Sequence, residues 1–306
     1  MSVYQNLMSQ IDNSGLLFNV QQDKLFTASG AEVPKKKALI NVSNGKVMSV
    51  VSENYKVVTN DEIFSGFCKS VERSGIDAEG ATVNIRQTSD GARAMVDFVF
   101  PNQLLRVGSD NSLTALQLCA LNSFDGSTRY LTKAGGLRMK CLNGQIVGNI
   151  IGAYSSTHTS KLDVDAGAES VISMIEQFNS ASDYWGAMMQ TKVTTEAAFK
   201  VFMKFLGIKI DLVSFSYNEN GVFLERQNAR MERCQDLWRQ YKMELGANAY
   251  AVYNVLTHYC SHQQKNYQNP TKQSMRQRRQ LERVLNTSPV FEPATATFNR
   301  KMGVTA

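Results

Sequence analysis

The sequence predicts an α+β protein, with an antiparallel, hairpin-rich N-terminal half and a largely helical, basic C-terminal half. Three observations predict it. Alternating apolar runs flank two turn dipeptides, Asn44-Gly45 and Asp90-Gly91, the strongest short-range hairpin signals a sequence carries. From Asp165 to Phe205 turn chemistry is sparse, and Val171, Ile172, Ile175, Phe178, Phe199, Phe202 and Phe205 recur at helical spacing. Positive charge collects at the back: up to Asn220 there are 20 Lys and Arg against 21 Asp and Glu, and from Gly221 onward 13 against 6.

Taken in order, residues 36–58 form the first hairpin about Asn44-Gly45. Thr59 then caps a helix that places Ile63, Phe64, Phe67 and Val71 on one face and stops at Gly75. Residues 81–100 form the second hairpin through Asp90-Gly91. Residues 113–121, LTALQLCAL, read as a buried strand, and the Gly-, Asn- and Ser-dense stretch 122–148 reads as loops crossing between strands. Helices follow at 220–245, at 247–262, and at 270–286, where Pro270 suits a first turn. The chain divides by composition into a β-rich core at 1–162, a helical basic region at 163–288 and a loose tail at 289–306.

At 306 residues, 43% apolar and 20% charged, the chain is large enough to enclose a core without staples. No run approaches the roughly 18 apolar residues of a membrane span, and the start, MSVYQNLMSQIDNSG, lacks the basic and apolar regions of a secretory signal. Cys68, Cys119, Cys141, Cys234 and Cys260 are scattered, with no C-x-x-C, which fits buried thiols in a reducing cytoplasm. No membrane partner is expected.

Catalytic motifs are thin. His258 and His262 stand at i and i+4, with His158 as a conceivable third ligand, but Tyr259 takes the place of the glutamate in H-E-x-x-H. No phosphate-cradling glycine motif occurs, since Gly135-Gly136 lacks the strand-loop-helix setting. Ser127, Asp125 and His158 make an imaginable triad, and Asp125, Asp163 and Asp165 an imaginable magnesium site, yet Asp125-Gly126 is first of all a turn. No catalytic residue, metal or cofactor is assigned.

The basic segment matches a task with fewer assumptions. Arg276, Arg279 and Arg283 share a helical face that Lys272 and Arg278 widen, so guanidinium groups there meet successive phosphates. Lys133, Arg138 and Lys140 make a second cluster, with Tyr130 as the residue expected to stack on bases and Phe124 nearby. The expected partner is nucleic acid.

Three blocks carry a resemblance: VVSENYKVVTNDEIF at 50–64, the stretch 122–149 followed by STHTSK at 156–161, and GANAYAVYNVLTHYCSH at 246–262. In order and spacing they resemble the phage/plasmid-like proteins of unknown function found in bacteriophages, prophages and mobile plasmids. The matching positions are Asn122, Ser123, Asp125, Gly126 and Ser127, then Arg138, Cys141 and Asn143, then His158 and Thr159, and more loosely Asn254, Thr257 and His262. Ser261 stands where that family usually has an acid, which weakens a metal role for the last pair. The resemblance implies a cytoplasmic protein of phage or mobile-element origin. By analogy the expected work is single-stranded DNA binding or annealing in recombination or replication, non-catalytic and suited to a homo-oligomer. The alternatives are a metal-dependent nuclease using Asp125, His158, His258 and His262, and a phage factor that binds and inhibits a host defence protein.

Overall fold

A computed structural model describes residues 1–140, 143–146, 153–208, 221–262 and 272–302, with side chains except at 143–146, 179, 221–228, 272–278 and 302. The α+β class holds: antiparallel sheets fill the N-terminal half, and the chain after residue 160 is mostly helical.

Helix α1 (Val3–Asp12) begins in a capping box, with Ser2 and Gln5 satisfying each other's backbone amides. Strands β1 (Val20–Phe26), β2 (Glu32–Asn41) and β3 (Lys46–Ser52) form a small antiparallel sheet, its β2–β3 turn closing over Asn44-Gly45 as the sequence predicts. Helix α2 (Asn60–Arg73) begins on the Thr59/Glu62 capping box. The second sheet pairs β4 (Thr82–Gln87), β5 (Arg93–Arg106), β6 (Leu113–Ser123) and β7 (Tyr130–Arg138) in sequence, and β7 also pairs with β8 (Asn143–Ile146) and β9 (Ala153–Ser156). The stretch 122–148, expected as loops, therefore holds strands. Its glycines are the reason the sequence reads otherwise: Gly135 and Gly136 sit inside β7, and at Gly136 neighbours come too close for a side chain. A Cβ on Gly136 would lie 2.7 Å from the Trp185 ring.

Helices α3 (Val164–Gln190), α4 (Thr195–Leu206), α5 (Gly221–Leu245), α6 (Ala249–Ser261), α7 (Lys272–Thr287) and α8 (Glu292–Met302) follow. Helix α3 lies on one face of the large sheet and against α2. Val96, Phe98, Phe100, Leu116 and Leu118 point to that face, where Phe67 stacks on Phe98 at 4.5 Å. Gly167 lets α3 come down on Tyr130, whose ring carbon would meet a Cβ at 2.4 Å. Helix α6 is apolar nearly all round and is buried accordingly, from Ala249 through Leu256. One cluster of buried apolar residues runs from Leu7 to Phe298, so the β-rich and helical regions share a core. Of the tail expected to be loose, residues 292–302 form α8, and Ala294, Phe298 and, just before the helix, Phe291 are buried in that core.

Candidate functional site

The second face of the large sheet does not carry α3. Alternation along antiparallel strands sends every other side chain there, and register lines them up in rows. Met95, Leu121 and Leu131 are direct cross-strand neighbours and form an apolar row that ends at Ser155. The next row is Asp97, Cys119 and Lys133, ending at Ala153, and beyond it Gln117 pairs with Gly135. These rows floor a cavity of about 980 Å³. Its walls are Tyr55 after the small sheet, Ser127, Thr128 and Arg129 in the β6–β7 turn, Thr157, His158 and Thr159 after β9, and Arg279 and Glu282 on α7. The volume matches the roughly 300–1,000 Å³ of ligand-holding clefts.

Local chemistry fixes the walls. Ser49 Oγ donates to the Phe124 carbonyl at 2.6 Å and Tyr55 Oη to the Ser123 carbonyl at 2.7 Å, tying the β6–β7 turn to the small sheet. Asn122 donates to the Val58 carbonyl and to Asn60 Oδ1, and Ser123 Oγ to the Thr128 carbonyl. Asp125 accepts from the Ser127 amide at 2.9 Å and from Arg93 Nε at 2.7 Å. Burial raises the Asp125 pKa, but these Ser127 and Arg93 bonds outweigh it and hold the carboxyl below its ordinary value. The Asn-Ser-x-Asp-Gly-Ser turn is thus a built cavity wall.

His158 is 6% exposed and stacks on Tyr55 at 4.9 Å with the rings nearly parallel. Burial lowers its pKa, against opposing effects from the Lys56 carbonyl and Asp125, and keeps the ring neutral near pH 7. Nδ1 lies 3.3 Å from the Lys56 carbonyl, an acceptor only, so the proton belongs on Nδ1. Nε2 is then a lone-pair acceptor, and it has no hydrogen-bond partner among the described residues. Thr128, 8% exposed, has a hydroxyl in the same condition.

The predicted contact residues separate. Arg279 is exposed and lines the cavity, and Arg283 is exposed one turn further along α7. Lys133 reaches the cavity from the sheet, ion-paired to Glu282 of α7. Lys140 is 59% exposed and pairs with Glu244 at 3.0 Å. Lys272, Arg276 and Arg278 fall on the α7 backbone, but their side chains lie outside the described residues, as do Cys141 and the side chain of Asn143. Two residues must be withdrawn. Tyr130 is fully buried between β7 and α3, so its ring has no face for a base; Phe124 is likewise buried. Arg138 is also at 0% exposure, held by the carboxylates of Asp110 and Glu244. Alternation explains both, because Tyr130 and Arg138 share the strand parity of Thr132 and Gly136 on the face away from the cavity, Tyr130 towards α3 and Arg138 towards α5, whereas Lys133 faces the cavity.

Arg129 was missed. It is exposed on the cavity rim, and no ion pair to it occurs among the described residues. The signal for it was its place just past the Asp125-Gly126 turn.

Ser127 and His158 line the cavity, with Asp125 close enough to act on the His158 ring, whereas His258 and His262 at the end of α6 are not among its lining residues. Among the described residues no group of three His, Cys, Asp or Glu could hold a metal ion. Asp125 is engaged by Arg93, Asp163 caps α3 through the Ala166 amide, and His258 Nδ1 lies 2.9 Å from the Tyr241 hydroxyl. Cys68 and Cys234 are free and buried, and burial pushes both thiols up to about 12.

A family model described as a domain of unknown function, DUF932, matches residues 47–288. The chain belongs to the DUF932 family. No curated protein and no solved structure matches it. The DUF932 span opens in β3 and closes just after α7, and it contains every described residue that lines the cavity, from Ser52 to Glu282. Helices α1 and α8 lie outside it. No described helix is long and apolar enough to cross a membrane.

Proposed function

We propose that this DUF932 protein binds nucleic acid, single-stranded DNA in the first place, during recombination or replication of a phage or mobile element in the host cytoplasm. It acts by phosphate contacts and base packing, without catalysis. One observation carries the reading: Arg129 and Arg279, from two different elements, open onto the rim of one cavity, and Arg283 extends the line along α7. Guanidinium groups pair with phosphate oxygens in a fixed fork, and an exposed row of them gives affinity that is indifferent to sequence. Helix α7 carries five Lys and Arg against Glu282 as its one acid. The likeness to phage/plasmid-like proteins supports the setting.

Lys133 supports the site from within, while Tyr55, whose ring is stacked on His158 in the cavity wall, takes on its other face the stacking role first given to Tyr130. The test is an electrophoretic shift on single- and double-stranded oligonucleotides at two salt concentrations. Tighter binding to the single strand that weakens steeply with salt supports the reading. A salt-indifferent complex with a host protein, with no oligonucleotide shift, would replace it by the host-inhibitor alternative.

A further inference from the structure

We infer that the cavity on the open sheet face is a receptor for a single nucleotide, its phosphate at Arg129 and Arg279 and its base laid on the Met95–Leu121–Leu131 row. This deepens, and rests on, the nucleic-acid reading; free nucleotides and a nucleotide of a bound strand share the chemistry.

The floor suits a base. Three neighbouring strands about 4.8 Å apart set Met95, Leu121 and Leu131 side by side under the cavity, an apolar floor about 10 Å across in which Leu131 is the more open member and Met95 and Leu121 are 2% and 4% exposed. The adjoining row of Asp97, Cys119 and Lys133, with Gln117 beyond, is polar and faces the edge of whatever lies on that floor. Two wall groups lack partners among the described residues although both residues are more than nine-tenths buried: the Thr128 hydroxyl and His158 Nε2. A buried polar atom left unsatisfied costs free energy that a ligand recovers by pairing with it. His158 Nε2 accepts and cannot donate in the neutral Nδ1–H form, so the ligand must bring an N–H or O–H. Every nucleobase carries an N–H on its pairing edge, which makes the contact tolerant of sequence. The cations are arranged for the other end: Lys133 is engaged by Glu282 and Asp97 by Arg86, whereas Arg129 and Arg279 have no ion pair among the described residues. The cavity thus offers uncommitted positive charge at its rim and an unmet acceptor in its wall.

The experiment titrates the full chain with each deoxynucleoside 5′-monophosphate, with the unphosphorylated nucleosides, with inorganic phosphate and with a labelled 12-nucleotide single strand, by calorimetry and anisotropy. The variants are Thr128→Val, His158→Phe and Arg129→Ala/Arg279→Ala. Saturable one-to-one binding of monophosphates is expected, at least tenfold tighter than either nucleoside or phosphate. Thr128→Val and His158→Phe should each weaken it tenfold or more. On the unmodified protein, monophosphate should also slow alkylation of Cys119, read by mass spectrometry, and this arm stands even if a variant fails to fold. Monophosphate binding no better than that of phosphate, with Cys119 alkylated at an unchanged rate, overturns the inference. If the 12-mer still binds in that case, the strand reading survives and the nucleotide receptor falls. If monophosphates bind and the 12-mer does not, the receptor stands and the strand reading falls.

Discussion

Arg138 and Asp110 form a two-point pair inside the protein, with Nε 2.7 Å from one carboxylate oxygen and Nη2 2.8 Å from the other. Nη2 also donates to Glu244 of α5 at 2.5 Å, and the guanidinium lies 6.0 Å from the Tyr241 ring centre. The pair joins the end of β7 to the β5–β6 loop and to the helical half. The Arg138 that the sequence presents as a phosphate contact is an internal clamp.

Removing one partner of a buried ion pair strands the other charge, at about 3–5 kcal/mol. Arg138→Met should lower the urea unfolding free energy by that order, and the protein that remains folded should bind oligonucleotide as well as wild type does. A stable variant with lost oligonucleotide affinity would return Arg138 to the surface role.

Helix α3 approaches β7 through Gly167, where a Cβ would lie 2.6 Å from the Tyr130 hydroxyl. Overpacking of this kind costs about 1–3 kcal/mol. Gly167→Ala should lower the unfolding midpoint, and Tyr130→Leu in the same chain should recover part of the loss by giving up the clashing ring.

Phe291 is fully buried just before α8, outside the DUF932 span but inside the common core. Phe291→Ala should cost about 3–5 kcal/mol, the range for a buried phenylalanine. A chemical denaturation curve matching wild type would show the terminal helix to be dispensable.

Acid should destabilise the fold through its histidines. Burial, His262 and Arg233 lower the His258 pKa to about 4, and burial lowers that of His158 as well. The unfolded chain therefore takes up protons near pH 6.5 that the folded chain refuses, so this part of the stability is complete above about 6.5 and falls as pH drops towards about 4. The urea midpoint at pH 5 should lie below that at pH 7.5, and His258→Gln should narrow the gap. Asp125 and Glu244, whose carboxyls are held below their ordinary values, add their own losses only at lower pH.

Much of the fold is legible in the sequence because its signals are local. Asn44-Gly45, Asp90-Gly91 and the Thr59/Glu62 box each act within four residues and appear where they are read. Strand β7 is hidden because Gly135 and Gly136 are ordinarily loop residues, while Gly136 answers to Thr114 and Trp185, contacts far away in sequence. The tail was hidden for a similar reason: Phe291 and Phe298 find a core made elsewhere, with Phe298 edge-on to Tyr184. The site was half legible. Arg279 and Lys133 were named from charge, but charge does not tell which side of a strand a residue faces, and one step of parity separates Lys133 from Tyr130 and Arg138. The Met95–Leu121–Leu131 row exists only through register, which no single segment contains.

The most direct measurement is the salt dependence of single-strand affinity for wild type and for Arg129→Ala/Arg279→Ala/Arg283→Ala. Each phosphate contact on a single strand contributes about 0.7 to the slope of log affinity against log salt. The account predicts a slope shallower by about 2 in the triple variant, with weaker binding at every salt concentration. Equal slopes and equal affinities would contradict it.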